Sequence, residues 1–417
     1  MPARPRFIFY ANELIGLGHL RRTLALAGRL STTESCPTSL ILTGAAIEPA
    51  FRLPPRVDTV KLPGRTRDGM GNHRSQRLGL DPDELHALRA RIALAAAAGF
   101  QPDVAVVDKL PLGQGGELEP TLAALKAESR CRLVLGLRDI EDSPENVRQK
   151  WGPAMRDAIE HYYDAILVYG PESTPDAIDC MGWTDLKVPL FHVGYVGTPI
   201  PESGPADLQG DYVLATVGGG FDGFRLLAML ADALRLRPLP CRTVMVTGPL
   251  MSHAARRRLA ALTAGLDVEL FRLRTDMEHV IAGARAVVSM AGYNTVSELM
   301  RARKPALLVP RTRPSEEQLI RASSLAAAGL QEMLHPDALT PAALREALDR
   351  LLRRTAPHNL PGCYSGTEHA AEILAGLAET VPAAALRSRT QQRFAAPARA
   401  GATGTAAELD VTVAEAG

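Results

Sequence analysis

The chain has 417 residues, 46% of them apolar and 22% charged, which is ordinary globular composition and enough for about two domains. Lys and Arg number 47 against 46 Asp and Glu, leaving a net charge of +1. That balance offers no basic field for a nucleic-acid backbone, so no nucleic-acid partner is expected. Six of the basic residues are lysines and 41 are arginines, which together with the abundant alanine reads as a GC-rich coding sequence. The five cysteines (Cys36, Cys131, Cys180, Cys241, Cys363) form no CxxC pair, so neither a zinc site nor a disulfide framework is indicated and a reducing compartment is expected. No apolar run approaches the ~18 to 20 residues of a membrane span. The start has basic residues before Phe7-Ile8-Phe9-Tyr10, but Asn12 and Glu13 interrupt at once. It reads as the first buried strand of a cytoplasmic enzyme and not as a signal peptide.

Short apolar strand, glycine loop and amphipathic helix then alternate. Residues 7–10 form a strand, Gly16-Leu17-Gly18 a turn, and 20–30 a helix by the spacing of Leu and Ala. Further strands are expected at 40–42, 104–107, 133–135 and 165–168, an alternation that argues for a parallel sheet with helices on both faces. Asp81-Pro82-Asp83 precedes a helical stretch and suits a cap better than a metal site. Around 194–205 the chain turns Gly/Pro-rich, as an interdomain linker does. The pattern restarts with a strand at 212–217, the loop Gly218-Gly219-Gly220, a helix from Phe224, and strands at 243–246, 286–289 and 306–309. An amphipathic helix is expected at 368–377. The expected organisation is a first α/β half over 1–195, a linker over 196–208, a second α/β half over 209–356, a C-terminal helical segment over 357–380 that packs on or across the halves, and a disordered tail over 381–417.

Three segments carry chemistry. In Gly16-Leu17-Gly18-His19-Leu20-Arg21-Arg22 the glycines let backbone approach a ligand, and the helix start favours negative charge. The third glycine of a dinucleotide fingerprint is missing. His19 would stand at the carboxyl edge of the sheet, where open α/β folds bind ligands, and its ordinary pKa suits a general base; a helix-start histidine without duty is the plain alternative. Thr216-Val217-Gly218-Gly219-Gly220-Phe221-Asp222-Gly223 strips side chains from a loop where a phosphate could meet backbone N–H groups. The third segment, 276–322, contains Ser289-Met290-Ala291-Gly292-Tyr293-Asn294-Thr295-Val296-Ser297-Glu298, the strand Lys304-Pro305-Ala306-Leu307-Leu308-Val309-Pro310, and Glu316-Glu317-Gln318-Leu319. Glu298 falls in the first turns of a helix, close enough to the Gly292 loop to accept hydrogen bonds from a sugar diol; on the pattern alone it could equally balance the helix dipole.

The third segment resembles the donor-binding region of the GT-B nucleotide-sugar glycosyltransferases of the MurG type, family 28, in its Gly loop, Thr-Val-Ser-Glu helix start, Pro-flanked strand and Gln-containing loop. The Gly-x-Gly-His-x-x-Arg turn and the Gly218–Gly220 loop match the same family in the same order. Gly136-Leu137-Arg138-Asp139-Ile140 and Asp108-Lys109-Leu110-Pro111 are similar to a bacterial branch of predicted glycosyltransferases. The resemblance spans about residues 6 to 378. It implies an α/β GT-B fold, two Rossmann-like domains facing across a cleft, and metal-independent transfer of a sugar from a nucleotide-diphosphate donor, a UDP-sugar, to an unidentified acceptor.

By that resemblance, Gly16, Gly18, Gly218, Gly219, Gly220 and Gly292, with Asn294 and Thr295 at the helix start, line the donor site. Backbone near Arg274 and Met277 meets the base, Glu298 holds the ribose hydroxyls, and Glu317 and Gln318 touch the sugar. His19 would face the junction between the halves, as acceptor base or diphosphate contact. From their place after strands of the first half, Asp108, Arg138 and Asp139 are expected to edge the cleft and to bind acceptor or orient His19, with a salt bridge as the plain alternative. No metal and no cofactor is implied, since the nucleotide sugar is a substrate. Two departures are visible. Glu317 stands where relatives often carry a glutamine, and Gly197-Thr198-Pro199 lacks the arginine that follows in relatives, so Arg21 or Arg22 would balance the phosphate charge. Family relatives dock peripherally on a membrane through the first domain, which here has basic residues over 54–77 without a clear amphipathic helix. A nucleotide-sugar hydrolase of the same fold, whose histidine activates water, is the nearest alternative. A non-catalytic nucleotide-sugar-binding subunit is a further one.

Overall fold

The protein is described by a computed structural model covering residues 4–11, 18–45, 53–67, 73–128, 130–172, 174–354 and 365–379. Gly16 and the expected tail at 381–417 lie outside the described residues.

The first half is built on β1 (Arg6–Ala11), whose residues 7–11 are all buried, as a central parallel strand covered on both faces requires. On one side β1 pairs with β2 (Thr38–Thr43), and β2 with β3 (Val57–Lys61). A separate antiparallel hairpin, β4 (Arg65–Arg67) and β5 (His73–Ser75), follows. On its other side β1 pairs with β6 (Val104–Asp108), followed by β7 (Arg132–Arg138), β8 (Ala165–Tyr169) and β9 (Leu190–His192). All pairings in this sheet are parallel, in the order β3-β2-β1-β6-β7-β8-β9. The second half repeats the plan with β10 (Tyr212–Thr216), β11 (Arg242–Val246), β12 (Val268–Phe271), β13 (Ala286–Ser289), β14 (Ala306–Leu308) and β15 (Glu332–Met333), in the parallel order β12-β11-β10-β13-β14-β15. The strand order reverses between β1 and β6 in one sheet and between β10 and β13 in the other. Loops leaving the carboxyl ends there diverge and open a crevice, the usual ligand site of such sheets.

Helix Gly18–Ser31 buries Leu20, Leu24, Ala27 and Leu30, one stripe at helical spacing. Helix Gly366–Ala378, near the end of the chain, packs on it through Ala370, Ile373, Leu374 and Leu377, so one apolar core runs through both halves. The connecting chain is pinned between them. The Val196 N–H donates to the Tyr293 hydroxyl at 3.1 Å, the Ser297 hydroxyl donates to the Val196 carbonyl at 3.2 Å, and the Gly197 N–H donates to Thr367 Oγ1 at 3.0 Å. Asp81 caps helix Pro82–Phe100 in a capping box with Glu84, as its spacing suggested. Both tryptophans, Trp151 and Trp183, lie buried in the first half, their rings 6.2 Å apart. The outer strands β3, β9, β12 and β15 and the hairpin are additions to the expected elements.

Candidate active site

The loops of the two switch points meet in the cleft. His19 sits in the first turn of the helix that follows β1, and Asp108 closes β6, so they flank the first switch point. His19 Nδ1 hydrogen-bonds Asp108 Oδ2. Arg22, one helical turn after His19, donates to Asp108 Oδ1 at 2.5 Å, and its Nη2 lies 3.1 Å from His19 Nδ1. The Arg22 guanidinium is stacked between the rings of Tyr169 from the first half and Tyr293 from the second, 5.0 Å from each centroid. Burial holds the imidazole below its ordinary pKa, against the opposing pull of the Asp108 carboxylate. Burial alone would raise Asp108, but Arg22 and His19 hold it below the usual carboxylate range. The result is a part-exposed imidazole that burial biases toward its neutral form, oriented through Nδ1 by a fixed carboxylate. The sequence indicated His19 and Asp108 but not the bracing role of Arg22. The i, i+3 spacing of His19 and Arg22, which puts them on one helix face, was the available signal.

At the second switch point the glycines have steric reasons. Gly218 (φ 58°), Gly220 (φ 89°) and Gly248 (φ 80°) occupy the left-handed region. A Cβ on Gly220 would run into the Thr247 carbonyl, and one on Gly248 into the Gly218 carbonyl. The loops after β10 and β11 therefore nest backbone to backbone, leaving Gly218 and Gly219 exposed at the sheet's carboxyl edge. Beside them β13 leads through Gly292, the N-cap, into helix Tyr293–Arg301. Asn294 and Glu298, four residues apart, share a face of that helix and line a small cleft with Arg21, Arg22 and the Val196-Gly197-Thr198 backbone. Thr295 is half-buried in the first turn. The approach is tight: a Cβ on Gly18 would lie 2.9 Å from Asn294 Nδ2.

Charged residues join the halves. Arg21 Nη2 donates to Glu298 Oε1 at 2.6 Å, and burial pushes the Glu298 carboxyl up against the pull of Arg21. Arg138 donates to Glu317 at 2.5 Å and to Glu141 at 3.0 Å, and Arg311 reaches Glu317 at 3.0 Å. Burial notwithstanding, Arg138, Arg321 and Arg311 hold Glu317 below the usual carboxylate range. Gln318 Oε1 accepts the Arg311 N–H at 3.3 Å, and its amide nitrogen faces Gly292. Asp139 accepts from Arg321 through both oxygens, at 2.8 and 2.7 Å, while Arg321 also donates to the Ala291 carbonyl at 2.9 Å. The two expected acceptor-side residues thus face the second half instead of open cleft. Asp139 is fully buried, with both oxygens taken, and Arg138 is a partner of Glu317. The Arg274 side chain is bound by Asp207 and Asp276, and Met277 opens the next short helix.

Asp176, Asp179 and His192 are the group of metal-ligating side chains that lie together among the described residues. Asp176 caps the short helix Ala177–Met181 with one oxygen and meets His192 Nε2 at 2.9 Å with the other, so both oxygens already have partners.

The model of the glycosyltransferase family 28 C-terminal domain matches residues 214–360. The second half of the chain is thus similar to that domain. The UDP-N-acetylglucosamine--N-acetylmuramyl-(pentapeptide) pyrophosphoryl-undecaprenol N-acetylglucosamine transferase of Mesorhizobium japonicum is 32% identical over 161 residues, which is 37% of this chain and 41% of the relative. The chain thus spans well under two thirds of that relative's length. The crystal structure of Acinetobacter baumannii MurG aligns with 89% of this chain and 99% of its own, at a TM-score of 0.55 and 16% identity. A putative UDP-N-acetylglucosamine 2-epimerase from Listeria monocytogenes aligns with 91% and 98%, at a TM-score of 0.57 and 13% identity. These likenesses show the fold: GT-B, two Rossmann-like domains facing across a cleft. Among the described residues no helix is long and apolar enough to cross a membrane.

Proposed function

We propose that the protein is a glycosyltransferase that moves a sugar from a UDP-sugar, held by the family 28 domain, to an acceptor hydroxyl presented by the first half. The observation that carries this reading is the meeting of the two switch points: Arg21, two residues from the His19–Asp108 pair, hydrogen-bonds Glu298 of the donor half at 2.6 Å. In this reading Glu298 accepts the ribose hydroxyls. The exposed backbone of Gly218 and Gly219 and the start of helix Tyr293–Arg301 receive the diphosphate. Glu317 and Gln318, fixed by Arg138 and Arg311, read the sugar hydroxyls. The acceptor O–H gives its proton to His19 Nε2 as its oxygen bonds the anomeric carbon. The bond from that carbon to the diphosphate breaks, and the electron pair leaves with the diphosphate. Backbone amides, the helix terminus and arginine charge stabilise that leaving group without a metal ion. The acceptor is left as a hydroxyl. The Mesorhizobium relative is named for a lipid-linked one, and a peripheral membrane contact through the first half accords with that.

The test is a panel of nucleotide sugars with and without candidate acceptors, read by thermal shift and nucleotide release. One donor should stabilise the wild-type protein. His19→Ala should keep that shift and lower turnover by about 10²- to 10⁴-fold. Fast nucleotide release without any acceptor, lost in His19→Ala, would make the protein a hydrolase instead. A panel in which no donor binds would sink the proposal.

A further inference from the structure

The donor site as it stands has its ribose-binding carboxylate already occupied. Glu298 is 5% exposed and sits in the cleft opposite the first half, where Arg21 Nη2 meets it at 2.6 Å. The neighbouring arginine has no such freedom. Arg22 is 2% exposed, bonded to Asp108 and clamped between Tyr169 and Tyr293. Arg21 and Arg22 differ by about 100° around the helix, so one points into the core and the other at the donor half. The Arg21 side chain is 30% exposed, makes its contact through one nitrogen, and borders the cleft lined by Glu298, Asn294 and the Gly197 backbone. A long side chain held at one point on the rim of a cleft can change partners by rotating about its own bonds. Resting on the donor-site reading above, we propose that Arg21 exchanges anions. It neutralises Glu298 while the site is empty, and it turns to the donor diphosphate when the ribose hydroxyls take its place on Glu298.

The exchange has a physical logic. A buried carboxylate without a counter-charge is costly, so the empty site needs a cation. A diphosphate bound nearby is a stronger partner than a carboxylate that has gained two hydroxyl donors, because it carries more charge and more acceptor oxygens. The nucleoside part of the donor alone would have to evict Arg21 without offering it a new partner. The complete nucleotide offers both halves of the exchange. Arg21 therefore opposes a nucleoside and favours a nucleoside diphosphate, which also makes the empty site discriminate against ligands that lack phosphate.

The wild-type protein and Arg21→Ala are titrated with UDP, dTDP and GDP, and then with the nucleoside of whichever diphosphate binds, by ligand-observed NMR to reach weak affinities. The expected result is a split. Arg21→Ala binds the diphosphate about ten- to a hundredfold more weakly, the loss of one charge-assisted contact, and binds the nucleoside more tightly than wild type. Arg21→Lys, which keeps the charge, recovers part of the diphosphate affinity and so separates loss of contact from loss of structure. If Arg21→Ala binds the diphosphate as well as wild type does, or if both ligands weaken together, the exchange is overturned while the donor site stands. If the wild-type protein binds none of the three diphosphates, the donor-site reading itself fails, and the exchange with it.

Discussion

Asp139–Arg321 and Arg21–Glu298 are both arginine–carboxylate pairs that join the two halves, and they are built for opposite purposes. Asp139–Arg321 is bidentate, its side chains 0% and 1% exposed, and Arg321 spends a further N–H on the Ala291 carbonyl. Arg21–Glu298 is a single contact with the arginine partly in solvent. Full desolvation makes the first pair costly to break from either side, because the remaining charge has no water to return to. In the second only the arginine has water to return to, so it can open when another group takes its place on the buried Glu298 carboxylate. The two pairs thus differ in exposure: the sealed one holds the halves together, and the part-exposed one is the one proposed to give way to a ligand.

That distinction can be broken or sharpened by substitution. The largest effect should come from Arg321→Met, which strands the Asp139 carboxylate and should lower unfolding stability by about 3–5 kcal/mol in urea titration. Adding Asp139→Leu should return most of the loss. A single substitution that costs under about 1 kcal/mol would put both pairs in one class. Glu298→Gln should behave otherwise. Burial raises the Glu298 pKa, so the ionised form is disfavoured by folding, and at neutral pH the neutral isostere should melt at the wild-type temperature or above it. On the proposed donor-site reading, donor affinity measured by calorimetry should nevertheless fall about tenfold, because a charged acceptor is lost. The smallest effect lies in pH dependence. With the imidazole below its ordinary value, His19 stays a competent base as pH falls through about 6.5. The acid limb of kcat/KM should then lie below that pH, and a limb above it would remove His19 from the role of base.

Much of the fold was legible in the sequence, and the misses share a cause. Buried on both faces, the central strands β1, β6, β10 and β13 are continuous apolar runs that stand out. The sheet strands that escaped, β3, β9, β12 and β15, are the four sheet edges, short and half-exposed, with little apolar signal. The hairpin β4–β5 carries no apolar residue. It is tied down through Arg65, which meets Glu117 at 2.6 Å together with Arg89 and Tyr10, partners scattered over more than a hundred residues. The same limit applies at the candidate site. The glycine loops and Glu298 lie within local patterns, whereas Arg321 and Asp139 are 182 residues apart and nothing in their neighbourhoods pairs them. Which of Arg21 and Arg22 faces the donor half depends on helix rotation against the second half, a fact of assembly that adjacency in sequence does not encode.

Trp151 and Trp183 give the molecule an optical asymmetry. Both indoles are in the first half, packed side by side, and the second half has none. Tryptophan emission is therefore a local reporter, blind to melting confined to the second half, while far-ultraviolet circular dichroism sees both sheets. If the interior shared through helix Gly366–Ala378 makes the halves unfold together, the two signals will trace one curve. If they separate, the gap between the curves measures how strongly the two halves are coupled, without a label on the chain.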